Sequence, residues 1–180
     1  MKKKPIFDYK RKAKSCSYGG LRLLSSVEAI ALHWTEGSFD TAKNECDFFA
    51  TGNTRSAGAH IFIDYDGKTG LSVPLRRIAY SVMSSGYQDG AYGRVYNNTN
   101  TVSIELCGLK DLEDFNGYRF PSKEQLKALS RVVRYIKKKC PNCKDFVRHY
   151  DIRKKPCPLP YVECRDEWLV LRKEMLLFLK

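Results

Sequence analysis

The chain has 180 residues, which suits one domain with a substantial core. Its formal net charge is +12, and seven of the first fourteen residues are Lys or Arg. No apolar run approaches the roughly 20 residues that a membrane span needs. No apolar segment of a secretory signal follows the basic N-terminus. We therefore expect a protein that has no membrane span and accumulates in the cytoplasm of the producing cell.

The positive charge favours polyanionic partners, namely nucleic acid, anionic lipid or anionic cell-wall polymers. Charge alone does not choose among them, and a surface selected for solubility carries similar charge. No RNA- or DNA-binding motif accompanies the charge, so a specific nucleic-acid partner is not expected. The seven cysteines are odd in number and, without a secretion signal, indicate reduced thiols.

The first half of the chain predicts short strands and one helix. Residues 1–25 are predicted as a basic surface arm, and residues 27–34 as a buried strand. A helix is predicted next, because apolar residues recur at three- and four-residue intervals: Phe39, Ala42, Cys46 and Phe49. Strands over 59–64 and 71–75 follow, joined by an Asp-Gly hairpin turn.

The second half begins with a long surface loop over 81–100, of a length that is often functional. Residues 101–107 predict a strand, and a helix follows whose Ser122 and Gln125 have capping-box spacing. A last strand over 145–150 and a helix from about Cys164 complete the chain. Together these elements predict an α/β fold, with a central mixed sheet of about five to six strands flanked by helices on both sides.

The segment 148–158 places a histidine and a cysteine eight residues apart, within reach of one metal ion. With His33 at a strand end, the candidate metal ligands are His33, His149 and Cys157. Catalytic zinc usually takes three protein ligands and keeps a fourth position for water, and imidazole and thiolate suit zinc better than magnesium or calcium. The alternative is two hydrogen-bonded strand-end histidines and a buried thiol, and spacing alone leaves both interpretations open.

Glu105 and Lys155 are the candidate catalytic residues. A carboxylate inside an apolar strand should have its pKa raised towards neutrality, so Glu105 could carry a proton. The Lys155 ammonium could stabilise a tetrahedral oxyanion. A salt bridge for Glu105 and a solvated basic loop for Lys155 are the alternatives. His60 is interpreted as a packed strand residue, and Cys140 and Cys143 as two ordinary thiols.

Short segments from residue 27 onward carry further information through their order and spacing. They are Leu-His-Trp-Thr at 32–35, Ser-Ala-Gly-Ala-His at 56–60, Ile-Asp-Tyr-Asp-Gly at 63–67, Val-Pro at 73–74, Ile-Ala-Tyr at 78–80, Asn-Thr-Val-Ser-Ile-Glu-Leu at 100–106, Arg-His-Tyr-Asp-Ile at 148–152 and Lys-Pro-Cys-Pro at 155–158. This series resembles the zinc-dependent N-acetylmuramoyl-L-alanine amidases of phages and bacteria, the type 2 amidases. Their fold is shared with the peptidoglycan recognition proteins.

The resemblance implies a role for each candidate residue. It implies zinc ligation by three residues, His33, His149 and Cys157. Lys155 would assist at the oxyanion. Glu105 would be the proton carrier, because Ala59 stands where other members have a tyrosine. Tyr80 and Asn100 would contact the substrate.

The function that the resemblance implies is hydrolysis of the amide between N-acetylmuramic acid and L-alanine in peptidoglycan. Residues 26–180 would then form the catalytic domain of a phage or prophage endolysin, or of an autolysin. Such an enzyme would act on the cell wall after release from the producing cell. The alternative is a recognition module that binds peptidoglycan without cutting it. Those modules typically lack the cysteine ligand, which Cys157 supplies here.

Overall fold

A computed structural model of the chain describes residues 5–82, 89–114 and 116–180. In this part of the chain the strands are β1 (Tyr9–Lys10), β2 (Tyr18–Leu21), β3 (Ala29–Trp34), β4 (Ile61–Ile63), β5 (Thr69–Leu71), β6 (Arg77–Ala79), β7 (Thr101–Leu106) and β8 (Asp145–Arg148). The helices are α1 (Ala42–Asp47), α2 (Lys123–Lys139), α3 (His149–Ile152), α4 (Leu159–Glu163) and α5 (Arg165–Leu177). None of the helices described combines the length and apolar composition that crossing a bilayer requires.

Six of the strands form one mixed sheet in the order β1-β5-β4-β7-β3-β8. The central strands β4, β7, β3 and β8 run parallel to one another, whereas β5 is antiparallel to β4. The register places His33 of β3 opposite Glu105 of β7, and Glu105 opposite Phe62 of β4. Because parallel strands end at the same edge of a sheet, the two polar residues lie together at its carboxyl edge.

Both faces of the sheet are covered, which explains why its central strands are apolar throughout. One face packs on α2 and α5, through β-strand residues such as Ile30, Leu32 and Ile104. The other face packs on α1 through Phe62, and on the loop before β7 and α3 through Ala29 and Ala31. The prediction of an α/β fold with five to six mixed strands and helices on both sides is confirmed.

The helix after β3 begins later than its apolar spacing predicted. Thr41 caps it by accepting a hydrogen bond from the Asn44 backbone, and the Asp64 carboxylate accepts one from the Ala42 backbone. These two hydrogen bonds satisfy the free backbone N–H groups of Ala42 and Asn44, so the helix starts at Ala42. Phe39, predicted on the buried face, lies before the helix and is 90% exposed. The helix continues as a π turn over Phe48–Gly52.

At the start of the long helix α2, only one of the two hydrogen bonds of the predicted capping box forms. Ser122 Oγ accepts from the Gln125 backbone, as predicted. The Gln125 side chain is buried and instead donates to the carbonyls of Ile63 and Cys107, at 2.8 and 3.0 Å. Gln125 therefore ties α2 to the chain just at and beyond the ends of β4 and β7.

Three predicted strand boundaries differ from the structure. The second strand of the hairpin is Thr69–Leu71 rather than 71–75, because the turn closes early through a hydrogen bond from Asp64 N to Lys68 O. The last strand ends at Arg148, and His149 opens the short helix α3. The described parts of the predicted loop 81–100 contain no strand or helix, and residues 83–88 lie outside the described residues.

The prediction of a surface arm for the N-terminal segment is wrong for residues 5–25. β1 pairs in parallel with β5 at one edge of the main sheet, and β2 pairs with β6 in a separate two-stranded sheet. Phe7 and Ala13 are buried, Phe7 against the Tyr135 ring at 5.3 Å. The many basic residues of this segment give it no apolar periodicity from which these contacts could be predicted. The functional division at residue 26 stays a prediction.

Candidate metal centre and adjoining cavity

The metal centre predicted from the sequence lies at the carboxyl edge of the sheet, where β3 and β8 end. His33 is the fifth residue of β3, and it shares a face with Ala29 and Ala31 because side chains alternate along a strand. β8 ends one residue before His149. The two imidazole rings are therefore neighbours, with their centroids 4.6 Å apart.

A tight loop returns Cys157 to the same point. Asp151 accepts hydrogen bonds from the backbone and guanidinium of Arg148, which fixes the turn after β8. The Tyr150 backbone N–H then donates to the Cys157 carbonyl at 3.0 Å. The bonds of Asp151 to Arg148 are those of a turn residue.

Three potential ligand atoms converge here, one each from His33, His149 and Cys157, all within 4.8 Å of one another. All three side chains are buried, and the Cys157 sulfur lies 3.8 Å from His33 Nδ1. His33 Nε2 and both ring nitrogens of His149 are buried without a hydrogen-bond partner in the described part of the chain. Unpaired buried polar atoms cost about 1–3 kcal/mol each, which a bound cation would offset. Two nitrogens and one sulfur suit a zinc-like ion.

The electrostatics of the three side chains favour neutral imidazoles. Burial lowers the pKa of His33 far below its usual value, and the neighbouring His149 and Lys155 lower it further. Burial, with Lys155 and Arg153, lowers the pKa of His149 to about 4. Both rings are thus unprotonated at neutral pH and free to donate lone pairs to a cation. Burial raises the pKa of the Cys157 thiol, so its deprotonation requires an adjacent positive charge.

Glu105 lies beside this cluster, with Oε1 3.9 Å from His33 Nδ1. Burial and the nearby Glu45 carboxylate raise the pKa of Glu105 to about 8. The carboxyl group lines an open cavity of about 360 Å³. Its ability to gain or lose a proton near neutral pH is what a general acid or base needs.

The cavity has a mixed acidic and aromatic lining: Trp34, Thr35, Glu36, Asp40, Glu45, Phe48, Phe49, Arg55, Phe62, Glu105 and Lys155. Lys155 therefore faces the same space as Glu105, and its Nζ lies 3.2 Å from Glu36 Oε1. The Lys155 side chain is half-exposed. Sequence reasoning placed Glu105 and Lys155 near the metal ligands, and the structure brings these two residues into one cavity.

Tyr80 and Asn100, predicted as substrate contacts, do not line this cavity. Asn100 precedes β7 and lies at the opposite edge of the sheet from Glu105, about 16 Å away at the usual strand rise. Its side chain accepts from the Asn97 backbone and donates to the Val95 carbonyl. Asn100 therefore shapes the loop before β7, away from this cavity, and a substrate contact there stays a prediction. The Tyr80 ring lies over Gly19, and a substrate contact there stays a prediction.

His60 is a packed and hydrogen-bonded residue, as the sequence suggested. Its Nδ1 accepts from the Ser103 backbone at 3.1 Å, and its Nε2 lies 3.0 Å from the Arg77 carbonyl. Sequence reasoning missed Glu36 and Glu45. Glu36 lies three positions after the strand-end His33, and this closeness in sequence could have identified it as a residue near the site. Nothing in the local sequence places Glu45 of α1 near Glu105.

Comparison with known proteins gives a consistent result. A family model described as N-acetylmuramoyl-L-alanine amidase matches residues 24–160. The amidase CwlL of Bacillus licheniformis is 26% identical over 87% of this chain and 42% of its own length. BlyA of Bacillus subtilis strain 168, also an N-acetylmuramoyl-L-alanine amidase, is 31% identical over 79% of this chain and 39% of its own length. The chain thus spans about two fifths of these relatives.

Solved structures share the fold. The PlyG catalytic domain superimposes with a TM-score of 0.69 and 18% identity, covering 94% of each chain. The family match covers His33, Glu105 and His149, and extends beyond Cys157. This chain therefore belongs to the N-acetylmuramoyl-L-alanine amidase family.

Proposed function

We propose that this chain hydrolyses the amide bond between the N-acetylmuramic acid lactyl group and L-alanine in bacterial peptidoglycan, with the help of a bound zinc ion. The observation that carries the proposal is the convergence of His33, His149 and Cys157 within 4.8 Å, next to the carboxyl group of Glu105. Family membership supports the choice of bond, and Cys157 favours catalysis over binding alone.

His33, His149 and Cys157 would hold the metal. When bound, a zinc ion supplies Lewis acidity, which activates water and polarises the scissile carbonyl. The protein fixes the ligands beforehand: one imidazole lies on β3, the other follows β8, and the loop hydrogen bond between Tyr150 and Cys157 holds the thiol. Such preorganisation avoids rearrangement of the ligands during the reaction.

Glu105 would carry the proton. As water adds to the carbonyl carbon, the carboxylate accepts one of its protons. When the C–N bond breaks, Glu105 returns this proton to the L-alanine nitrogen, which leaves as an amine. The raised pKa places both protonation states within reach near neutral pH.

Lys155 would stabilise the oxygen that becomes negative during attack. Its ammonium lines the same cavity as Glu105 and is held near Glu36 at 3.2 Å. This pair is largely exposed and contributes little to stability. The ion pair keeps the ammonium at the cavity.

The test is incubation of the purified chain with isolated peptidoglycan, with and without a chelator. We expect new L-alanine amino termini to appear, and their formation to stop with chelator and resume with added zinc. A matched Glu105→Gln protein should release them about 10²–10⁴-fold more slowly. If the chain binds the wall but releases no new amino termini, whichever metal ion is added, the proposed activity is contradicted and the recognition module is favoured instead.

We further propose an endolysin or autolysin catalytic unit that meets the cell wall after leaving the cytoplasm of its producer. Support comes from the likeness to the PlyG catalytic domain and to amidases much longer than this chain. The +12 charge supports attraction to anionic wall polymers. Fractionating a producing culture before and after lysis tests this, since the proposal requires the protein inside intact cells.

A further inference from the structure

Arg148, the last residue of β8, carries its positive charge into the interior of the protein. It is 9% exposed, and it immediately precedes His149, one of the three candidate metal ligands. Burial of a charge has a high desolvation cost, so a buried guanidinium needs several hydrogen-bond acceptors within reach. The guanidinium takes no part in the proposed chemistry, and its burial therefore requires another explanation.

The acceptors of Arg148 lie at two separate points of the ligand loop, residues 149–161, which follows β8. Its Nε and Nη2 atoms donate to the carboxylate of Asp151, and the shortest of these contacts, from Nη2 to Oδ1, is 2.6 Å. Its Nη1 atom donates to the backbone carbonyl of Tyr161, also at 2.6 Å. Cys157 lies between these two points, and His149 lies just before the first. Arg148 therefore closes the ligand loop at its base.

Tyr161 joins one end of the ligand loop to the core. Its side chain is 3% exposed. Its ring packs against Trp168 of α5 and against Phe120, with centroids 6.0 and 5.9 Å apart. Trp168 also contacts the guanidinium, since Arg148 Cζ lies 5.0 Å from the centroid of its ring. The end of the loop that Arg148 holds is thus fixed by several buried aromatic side chains.

A guanidinium suits this set of contacts better than any other cation. Its planar fork offers donors in two directions, one of which serves the Asp151 carboxylate and the other the Tyr161 carbonyl. A lysine ammonium is a compact point charge and does not present such a fork. Loss of the fork would leave an acceptor unpaired in the interior, and opening of the loop would let water reach that acceptor.

We propose that Arg148 is a positioning residue for the metal centre, which holds His149 and Cys157 in place before a metal ion binds. The inference rests on the proposed function, since a loop ordered beforehand matters only if these side chains bind a metal ion. When the loop is already closed, ion binding does not have to offset the cost of ordering it. When the loop is partly open, only the closed fraction binds the ion, and the apparent affinity falls by that fraction.

The experiment compares Arg148→Lys with a matched substitution on the other side of β8. Arg172 of α5 also donates to an aspartate and to a backbone carbonyl, those of Asp145 at 2.8 Å and Phe146 at 3.0 Å. Arg172→Lys therefore removes a similar fork without touching the ligand loop. Zinc affinity is measured by competition with a chromophoric chelator, and urea denaturation measures the stability of the metal-free proteins.

We expect Arg148→Lys to raise the zinc dissociation constant about 10- to 100-fold, the usual effect of losing a contact that orients a metal ligand. Arg172→Lys should change it by less than about twofold, as a distant and independent site. Both substitutions should lower stability, so stability alone does not distinguish them. With cobalt in place of zinc, only Arg148→Lys should alter the visible absorption spectrum, because only there does the ligand geometry change. If Arg148→Lys does not fold, Asp151→Asn replaces it with the same expectations.

Hydrogen exchange in the metal-free proteins measures loop closure itself. The Tyr150 amide donates to the Cys157 carbonyl across the ligand loop. We expect this amide to exchange faster in Arg148→Lys than in Arg172→Lys, relative to the amides of α2 in each protein.

Equal zinc affinities in the two variants, or equal relative exchange of the Tyr150 amide, would overturn the inference and leave the proposed function intact. The opposite combination is also informative. If Arg148→Lys alone loses zinc affinity, but the zinc-loaded wild type releases no L-alanine amino termini from peptidoglycan, the positioning role is supported and the proposed function is contradicted.

Discussion

The residue that connects the metal centre to the cavity is Glu105. It faces His33 across the β7–β3 ladder, and alternation along β7 puts it on the face opposite Ile104 and Leu106, which enter the core. A carboxyl group in an otherwise apolar strand has a clear physical cost, because burial disfavours its charged form. Here that cost places its pKa near neutrality, at about 8.

Replacing Glu105 with Gln should therefore remove turnover and leave metal binding intact. We expect kcat to fall by about 10²–10⁴, the usual contribution of a general acid or base. Zinc content per chain, measured by atomic emission, should equal that of the wild type. Retention of wild-type turnover by the variant would dismiss Glu105 as the proton carrier.

The three convergent ligands make a prediction of their own. Cys157→Ser and His33→Ala should each lose bound zinc and hydrolysis together, since each removes one of three protein donors. In the wild type, chelator should lower the thermal midpoint, because an ion bound at 100 times its dissociation constant adds about 2.7 kcal/mol to stability. A chelator-insensitive midpoint with full activity would argue against a metal site here.

At the scale of elements, the environments of two phenylalanines depend on contacts that are distant in sequence. The edge strand β1 comes from the most basic part of the chain, and its neighbour Phe7 enters the core beside Tyr135 of α2. Phe39 lies between β3 and α1, in a segment whose spacing suggested a buried helix face, yet it faces solvent. Phe7 is thus buried where its local sequence suggests exposure, and Phe39 is exposed where its local sequence suggests burial.

This exchange gives a matched pair of substitutions. Phe7→Ala should lower the free energy of unfolding by about 3–5 kcal/mol, as expected for a buried aromatic residue. Phe39→Ala should change it by less than about 0.5 kcal/mol, as for a surface residue. Urea denaturation followed by tryptophan fluorescence measures both. Similar effects for the two variants would mean that the N-terminal segment does not pack as described.

At the scale of the whole molecule, the net charge of +12 and the cavity beside Glu105 act at different ranges. The overall charge attracts the chain to a polyanionic wall, whereas the cavity acts on groups that enter it. Salt separates these effects, because the screening length falls from about 30 Å at 0.01 M to about 3 Å at 1 M.

We therefore expect wall binding to weaken markedly as sodium chloride rises across that range. Hydrolysis of a small soluble muropeptide should change much less. Co-sedimentation with purified walls measures binding, and walls stripped of their anionic polymers are the control. Salt-independent sedimentation with intact walls would show that charge does not drive the association.

The sequence alone identified much of this protein. Hydrophobic periodicity located the central strands, α2 and α5, because strand and helix periods are local properties of the chain. The donor set of His33, His149 and Cys157, with Glu105 and Lys155, was also proposed from residue type and spacing. The proximity of the donors was the part that spacing could not establish, since His33 lies more than 100 residues from the other two.

Only the tertiary structure decided what surrounds those residues. Glu45 lies near Glu105 because α1 packs beside β4, and Asn100 lies outside their cavity because it precedes β7 while Glu105 lies near the end of that strand. Phe7 is buried and Phe39 exposed for the same kind of reason. Local patterns report which face of an element is apolar, but which groups meet is set by strand order and register, which depend on contacts across the whole chain.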